Sequence, residues 1–257
     1  MTAMNRQIHF DVSNLALESG GSGDPAIFVH GFGSSKSSWR RVCRGLGDVF
    51  SFYAIDLPGF GESPAPRHFQ YTLENFADAL TDFIKTKDLK KLTLVGTSLG
   101  ASIILLAVLR NKVELAPRVR SLCLLDAIVY PRHFSYLVEI LQTSIVLAPF
   151  FGFLATDLLW PRRRKVRDSM VETVRQIDVE HFAQYLPRLT TIDLPILVIW
   201  GREDEVVPLR FGKRLAHDLR NARLIVVDGC GHAPHRQRPD KVIAALKNFR
   251  QQAGVSR

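Results

Sequence analysis

Six short, mostly apolar runs constrain this chain more than any other feature of its sequence. Each run has four or five residues and is followed within two positions by glycine or aspartate; the runs are 26–29, 52–55, 92–95, 122–125, 196–200 and 224–227. Strands buried on both faces of a sheet have such continuous apolar sequences, whereas half-exposed strands alternate. The runs therefore predict a mostly parallel sheet.

Helical patterns lie between several of these runs. Apolar residues recur at helical spacing over 73–84 and 240–249, and segment 102–109 is apolar nearly all round. Alternating strands and helices predict an α/β fold, a doubly wound sheet flanked by helices. The chain has 257 residues, 46% of them hydrophobic and 23% charged, which excludes a disordered chain and a small disulfide scaffold.

Residues 128–191 break this alternation, because they contain helical and apolar stretches without a strand–loop–helix rhythm. Polar residues, Pro149 and Gly152 interrupt the apolar stretches. No uninterrupted run reaches the roughly 20 residues that a membrane-spanning helix needs. We therefore predict a helical cap, or lid, over 128–191, inserted into a core formed by 1–127 and 192–257.

Charge and cysteine content indicate which binding partners and which cellular compartment to expect. The formal net charge is +9, but its one dense run, Arg162–Arg167, lacks interleaved aromatic residues, so no nucleic-acid partner is predicted. Cys43, Cys123 and Cys230 are too scattered for a disulfide framework or a metal knuckle. They favour a reducing compartment, and the first residues show no apolar signal peptide. We predict a cytoplasmic protein.

The segment Gly96–Gly100 has the pattern G-x-S-x-G between an apolar run and an apolar helical stretch. This context is typical of a nucleophilic serine on a tight strand-to-helix turn. Glycine is needed because the turn is strained and side chains at the flanking positions would clash. Ser98 is therefore the candidate nucleophile; the alternative is a glycine–serine turn without chemistry.

A serine hydroxyl needs a base, and the base needs a carboxylate that holds its tautomer. His232 lies on a glycine-rich loop after the last run and is the favoured base, with His235 as the competitor. Asp204 follows the penultimate run and is the favoured acid, with Asp126 as the alternative. The chain order is then Ser, Asp, His, as expected for this arrangement.

Acyl transfer also needs hydrogen-bond donors for an oxyanion. The segment His30-Gly31-Phe32-Gly33 follows the first run. We expect the backbone N–H groups of Phe32 and Leu99 to converge near Ser98. The element that acts is the backbone, so the Phe32 side chain is expected only to line the pocket.

Taken together, the sequence resembles the α/β-hydrolase fold enzymes of the esterase, lipase and C–C hydrolase branch. The resemblance covers nearly the whole chain outside 128–191. It rests on segments 30–33 with Trp39, 56–63 (DLPGFGES), 96–100, 200–204 (WGRED) and 231–235 (GHAPH). These motifs are specific for the fold and for the catalytic triad, and they do not specify a substrate.

The resemblance implies Ser98 as nucleophile, His232 as base, Asp204 as acid, and backbone oxyanion donors at Phe32 and Leu99. It also implies a helical cap after the sixth strand of the family, where 128–191 lies.

Three positions depart from particular relatives. Serine at 98 argues against dehalogenases and epoxide hydrolases, which usually have aspartate there. Ala233 stands where many C–C hydrolases have tryptophan, which disfavours C–C bond hydrolysis. Gln237 replaces a glutamate of many relatives, which we interpret as a structural variation.

The leading hypothesis is a carboxylesterase-like serine hydrolase that acts on a small apolar ester through an acyl-enzyme and needs no metal or organic cofactor. An apolar pocket is expected from cap residues Leu137, Val138, Leu141, Phe150, Phe151, Phe153, Leu154 and Trp160. The alternatives are a C–C bond hydrolase of ring-cleavage products and a small-ligand receptor without turnover. Contact of the cap and the basic run with a membrane surface is a less favoured addition.

Overall fold

A computed structural model describes residues 11–130, 161–177 and 183–255, which are centred on a seven-stranded sheet. The strands are β1 (Leu17–Gly20), β2 (Asp24–Val29), β3 (Phe50–Ile55), β4 (Leu92–Thr97), β5 (Val119–Leu125), β6 (Ile196–Gly201) and β7 (Ala222–Val227). Their order is β1-β3-β2-β4-β5-β6-β7, and the single antiparallel pair of this sheet is β1 with β3. Each predicted run lies within one of β2–β7, so the mostly parallel sheet is confirmed.

Helices cover both faces of this sheet. They are α1 (Arg40–Leu46), α2 (Leu73–Thr86), α3 (Leu99–Arg110), α4 (Lys112–Leu115), α5 (Pro161–Gln176), α6 (Leu209–Asp218), α7 (Pro234–Gln237) and α8 (Pro239–Val255). Short 3-10 helices span Val12–Asn14, Lys36–Trp39 and Leu186–Thr191. The predicted helical segments 73–84, 102–109 and 240–249 lie within α2, α3 and α8.

The sheet separates two hydrophobic cores. Helices α2 and α3 contribute to one core, and α1 and α8 contribute to the other. Side chains alternate along β2, where Ile27 and Val29 belong to the first core while Ala26 and Phe28 belong to the second. All four are fully buried, which explains why the strand sequence shows no polar alternation.

Some elements carry little sequence signal. Strand β1 has the sequence LESG and lies half exposed at the sheet edge, so no apolar run marks it. Helices α1 and α6 contain Arg, Lys and Gly among few apolar residues. Helix α3 begins at Leu99 rather than 102, because the serine turn leads directly into it.

Helix α5 is the part of the predicted cap that the structure describes best. Its Lys165 Nζ donates to the carbonyl oxygens of Gly61 and Ser63, at 3.1 and 2.6 Å, and Gln176 Oε1 accepts from the backbone N–H of Tyr71 at 2.5 Å. These bonds fix α5 on the loop between β3 and α2. The apolar cap residues named above and the side chains of 162–164 lie outside the described residues, so the cap and its boundaries stay a prediction.

No helix in the described ranges combines the length and the apolar character needed to cross a bilayer.

Candidate active site

Ser98 occupies a strained turn between β4 and α3. Its backbone has φ +52° and ψ −120°, and its N–H donates to the Leu125 carbonyl at 2.8 Å. A Cβ on Gly96 would lie 2.7 Å from the Gly100 backbone, and one on Gly100 would lie 2.5 Å from the His30 carbonyl oxygen. Both glycines are therefore required by contact with backbone, as the sequence pattern predicts.

Three of the predicted residues form one hydrogen-bonded chain. Ser98 Oγ lies 2.9 Å from His232 Nε2, and His232 Nδ1 lies 2.8 Å from Asp204 Oδ2. Because a carboxylate can only accept, Nδ1 carries the proton and Nε2 is left to accept the serine hydroxyl. The side chain of Asp204 is fully buried, whereas that of His232 is 24% exposed.

The loop after β6 fixes the orientation of Asp204. Its Oδ1 accepts the backbone N–H groups of Val206 and Val207, at 2.9 and 2.8 Å. The other oxygen, Oδ2, is thereby directed to His232. The carboxylate thus has donors on both oxygens and needs no rotation to hold the imidazole.

Two side chains that sequence reasoning did not assign to the site hold the histidine loop. Glu203 accepts the backbone N–H groups of Gly229 and Cys230, at 3.2 and 2.7 Å, and these bonds lower its pKa. Gln237 Oε1 accepts the N–H of Gly231 at 2.7 Å. No pattern in the sequence reveals these roles, because both side chains act on backbone that only the fold brings near.

The two alternative residues lie elsewhere in the site. His235 stacks on Trp39, with ring centroids 4.3 Å apart, and burial lowers its pKa to about 3. It has no hydrogen bond to Ser98 among the described contacts. Asp126 accepts the backbone N–H of Gly201 at 3.0 Å and makes no hydrogen bond to His232 in the described part of the chain.

Two backbone N–H groups suit an oxyanion. Phe32 and Leu99 both line the cavity above Ser98. Among the described residues, neither amide donates a hydrogen bond to the protein. Leu99 is the first residue of α3, so its N–H belongs to the unsatisfied first turn of a helix.

Buried polar contacts hold the loop that carries Phe32. His30 Nδ1 donates to the Gly31 carbonyl at 2.7 Å, and its Nε2 accepts the N–H of Leu57 at 3.1 Å. Burial lowers the pKa of His30, which keeps the ring neutral. Nearby, Lys36 binds the fully buried carboxylate of Asp56 through both Nζ, at 2.8 Å, and its backbone N–H, at 2.6 Å.

A cavity of about 260 Å³ opens above the serine. Ile128, Val174 and Ile177 form much of its apolar wall, and the last two come from α5 and the residue after it. Arg236 stands on the wall as its cationic group, without an ion-pair partner among the described residues. The cavity therefore suits a largely apolar ligand that reaches Ser98.

One further grouping has the spacing of a metal site. Atoms of Asp126, Asp204 and His232 lie within 4.8 Å of one another. Two of these residues already bond to each other through the His232 N–H, and a metal ion on that nitrogen would displace the proton that binds Asp204.

Comparison with known proteins identifies the family of this chain. Residues 26–245 match the alpha/beta hydrolase family. The chain belongs to this family. A hydrolase of Bacillus subtilis, YugF, is 29% identical over 242 residues, which cover 87% of this chain and 88% of the relative.

A further relative and a solved structure extend the comparison. The pimeloyl-[acyl-carrier protein] methyl ester esterase of Neisseria meningitidis is 24% identical, covering 86% of this chain and 91% of that one. The solved structure of a meta-cleavage product hydrolase from Pseudomonas fluorescens superposes with a TM-score of 0.74 at 23% identity, covering 93% and 94% of the two chains. That likeness establishes the shared fold.

Proposed function

We propose that this alpha/beta hydrolase cleaves carboxylic esters, with Ser98 as nucleophile, His232 as base and Asp204 as acid. The observation that carries the proposal is the unbroken chain of hydrogen bonds from Ser98 Oγ through His232 to Asp204, at 2.9 and 2.8 Å. It lies beside two backbone amides, of Phe32 and Leu99, that have no partner among the described residues. This arrangement supports the roles of nucleophile, base and oxyanion donors at one cavity, with the orienting acid behind the base.

In the first half-reaction, Ser98 Oγ attacks the ester carbonyl while His232 Nε2 takes the hydroxyl proton. The carbonyl oxygen becomes an oxyanion that the amides of Phe32 and Leu99 bind, each such donor contributing about 3 kcal/mol. Asp204 stabilises the imidazolium. The tetrahedral intermediate then breaks its bond to the alkoxy oxygen, which leaves as the alcohol with the proton from His232.

In the second half-reaction, water takes the place of the alcohol. His232 removes a proton from the water, and the resulting hydroxide adds to the acyl carbonyl. Collapse of this intermediate breaks the bond to Ser98 Oγ, which recovers the proton from His232. The products are a carboxylic acid and the enzyme in its starting state.

The cavity supports a small ester with an apolar body as substrate. The surface of its wall is mainly apolar, and Ala233 contributes a small side chain to it. The Neisseria relative, whose name states a methyl ester substrate, supports ester cleavage over other bonds. An ester whose far end carries a negative charge also fits, because Arg236 has no ion-pair partner among the described residues.

Hydrolysis of a panel of p-nitrophenyl esters tests the proposal. We expect turnover by the native chain, and Ser98→Ala should lower kcat by roughly 10⁴-fold or more. Ser37→Ala is the matched control, because Ser37 is an exposed serine outside the cavity. A fluorophosphonate should label Ser98 once per chain.

Three results contradict the proposal. Full activity of Ser98→Ala would exclude this serine as nucleophile. Turnover of a dienedione ring-cleavage product, with no ester of the panel cleaved, would identify a C–C bond hydrolase instead. Stoichiometric ligand binding with no turnover of either class would indicate a receptor.

A further inference from the structure

Asp126 is a buried carboxylate that the proposed reaction does not use. It follows β5, has no exposed surface, and adopts φ +43°, a left-handed conformation. Its Oδ1 accepts the N–H of Gly201 at 3.0 Å. Its Oδ2 is buried and has no donor among the described residues. A buried anionic oxygen without a donor is costly, so this atom requires an explanation.

A neighbouring carboxylate supplies the explanation for this oxygen. Asp126 and Asp204 have oxygen atoms within 4.8 Å of each other and of a His232 nitrogen. The remaining titratable group facing Asp126 is the buried thiol of Cys230, on the loop after β7. No lysine or arginine pairs with either carboxylate in the described part of the chain. Two ionised carboxylates this close, without a cation, repel strongly in a buried site.

We propose that Asp126 keeps its proton at neutral pH and donates it in a hydrogen bond to Asp204, so that the pair carries one negative charge. The proton accounts for the second oxygen of Asp126, which becomes a donor instead of an unpaired acceptor. Burial and the neighbouring Asp204 both raise the pKa of Asp126, in agreement with this assignment. The negative charge stays on Asp204, the residue that holds the His232 N–H.

The consequence is that Asp126 acts as a positioning residue. Its two oxygens connect the backbone of Gly201, at the end of β6, to the Asp204 carboxylate three residues later. Because the pair has a single charge, one carboxylate and not two stabilises the His232 imidazolium. The imidazolium can then return its proton to the leaving alcohol more readily. This second consequence rests on the proposed function, whereas the protonation itself does not.

The stability of Asp126→Asn as a function of pH tests the protonation without any substrate. An acid whose native pKa is raised keeps its proton when folded and loses it when unfolded, above about pH 4. The native chain therefore loses stability, relative to the variant, as pH rises. The ratio of the unfolding constants, native over Asp126→Asn, should grow by up to tenfold per pH unit between pH 5 and 8 in urea unfolding.

Asp228→Asn is the matched control, because Asp228 follows β7 as Asp126 follows β5, but its side chain is 75% exposed. For this control the ratio should stay constant over the same pH range. A constant ratio for Asp126→Asn would overturn the proposal. The infrared band of a protonated carboxylic acid, present in the native chain and absent from Asp126→Asn, gives a second measurement at neutral pH.

The pH profile of kcat/KM tests the consequence for the triad. If Asp126 is neutral, Asp126→Asn leaves the midpoint of the acid limb in place, since no charge is removed near His232. If Asp126 is ionised, the variant lowers that midpoint by about one unit or more, which would refute the assignment. Asp126→Ala should lower kcat at least tenfold more than Asp126→Asn, because only asparagine keeps both a donor and an acceptor.

A bound cation is the other way to neutralise two carboxylates. If a chelator destabilises the native chain but not Asp126→Asn, and zinc restores the stability, a metal ion and not a proton lies between them. That outcome would overturn the proposal. Failure of the native chain to turn over any ester would refute the proposed function but would leave the urea and infrared results to decide the state of Asp126.

Discussion

Replacing Asp204 by asparagine isolates the orienting role of the carboxylate. The backbone N–H groups of Val206 and Val207 both donate to Oδ1, at 2.9 and 2.8 Å. An asparagine must therefore place its carbonyl oxygen at the Oδ1 position, because its NH₂ group cannot accept these two bonds. The NH₂ group then occupies the Oδ2 position, 2.8 Å from His232 Nδ1.

This orientation reverses the hydrogen bond to the histidine. The NH₂ group donates, so Nδ1 must accept and the ring proton moves to Nε2. A protonated Nε2 cannot take the proton of Ser98. A triad held in the wrong tautomer loses about 10⁴-fold in kcat, which corresponds to about 5.5 kcal/mol of transition-state stabilisation.

The assay is steady-state hydrolysis of p-nitrophenyl acetate by the native chain, Asp204→Asn and the control Asp228→Asn. We expect the loss in kcat with KM changed by less than about threefold, since the cavity wall does not include residue 204. The control should keep the native kcat. If Asp204→Asn keeps more than one-tenth of the native kcat, the deduced tautomer or the role of Asp204 is wrong.

Three further predictions follow from side chains that are buried in the native protein. Lys36→Met removes the ammonium from the buried Asp56 carboxylate, which keeps two backbone N–H donors. The free energy of unfolding, measured in urea, should fall by roughly 2–3 kcal/mol, and a loss below about 1 kcal/mol would contradict this. The free energy of unfolding should fall as pH falls from 6 to 4, because His235 takes up a proton in the unfolded chain and stays neutral in the native one. In His235→Gln, this dependence should be weaker by about 1.4 kcal/mol per pH unit. All three thiols are buried, and burial raises the pKa of each. At pH 8, Ellman's reagent should therefore label the urea-unfolded chain but not the native protein, and rapid labelling of the native protein would refute this.

Most of the sheet could be predicted because its central strands, such as β4 and β6, are buried on both faces. Strands β2–β7 appear in the sequence as apolar runs, since each one has helices packed over it or a neighbour on both sides. Strand β1 was not predicted because Leu17 is the one large apolar residue in its sequence LESG, whereas β7, at the other edge, has an apolar run. The amphipathic α1 and α6 are short, so their apolar positions are too few to establish a helical period.

The candidate site was predictable to the extent that its residues sit in local patterns. Ser98 lies in a turn whose glycines are required by backbone contact, and this requirement is visible in sequence as G-x-S-x-G. His232 was preferred over His235 from the loop sequence alone, and the hydrogen bonds agree with that preference. The roles of Glu203 and Gln237 were not predictable, because each binds backbone on a loop that no local pattern connects to it.

By itself, the order of residues determined which segments become buried strands and which turn must carry a strained serine, because hydrophobicity and backbone sterics act over a few neighbouring positions. Only the tertiary structure brings Asp126 close to Asp204, because the two residues are 78 positions apart in the sequence. Charge repulsion and proton sharing depend on distances of a few ångströms between atoms, and parallel strands create such distances between residues remote in sequence.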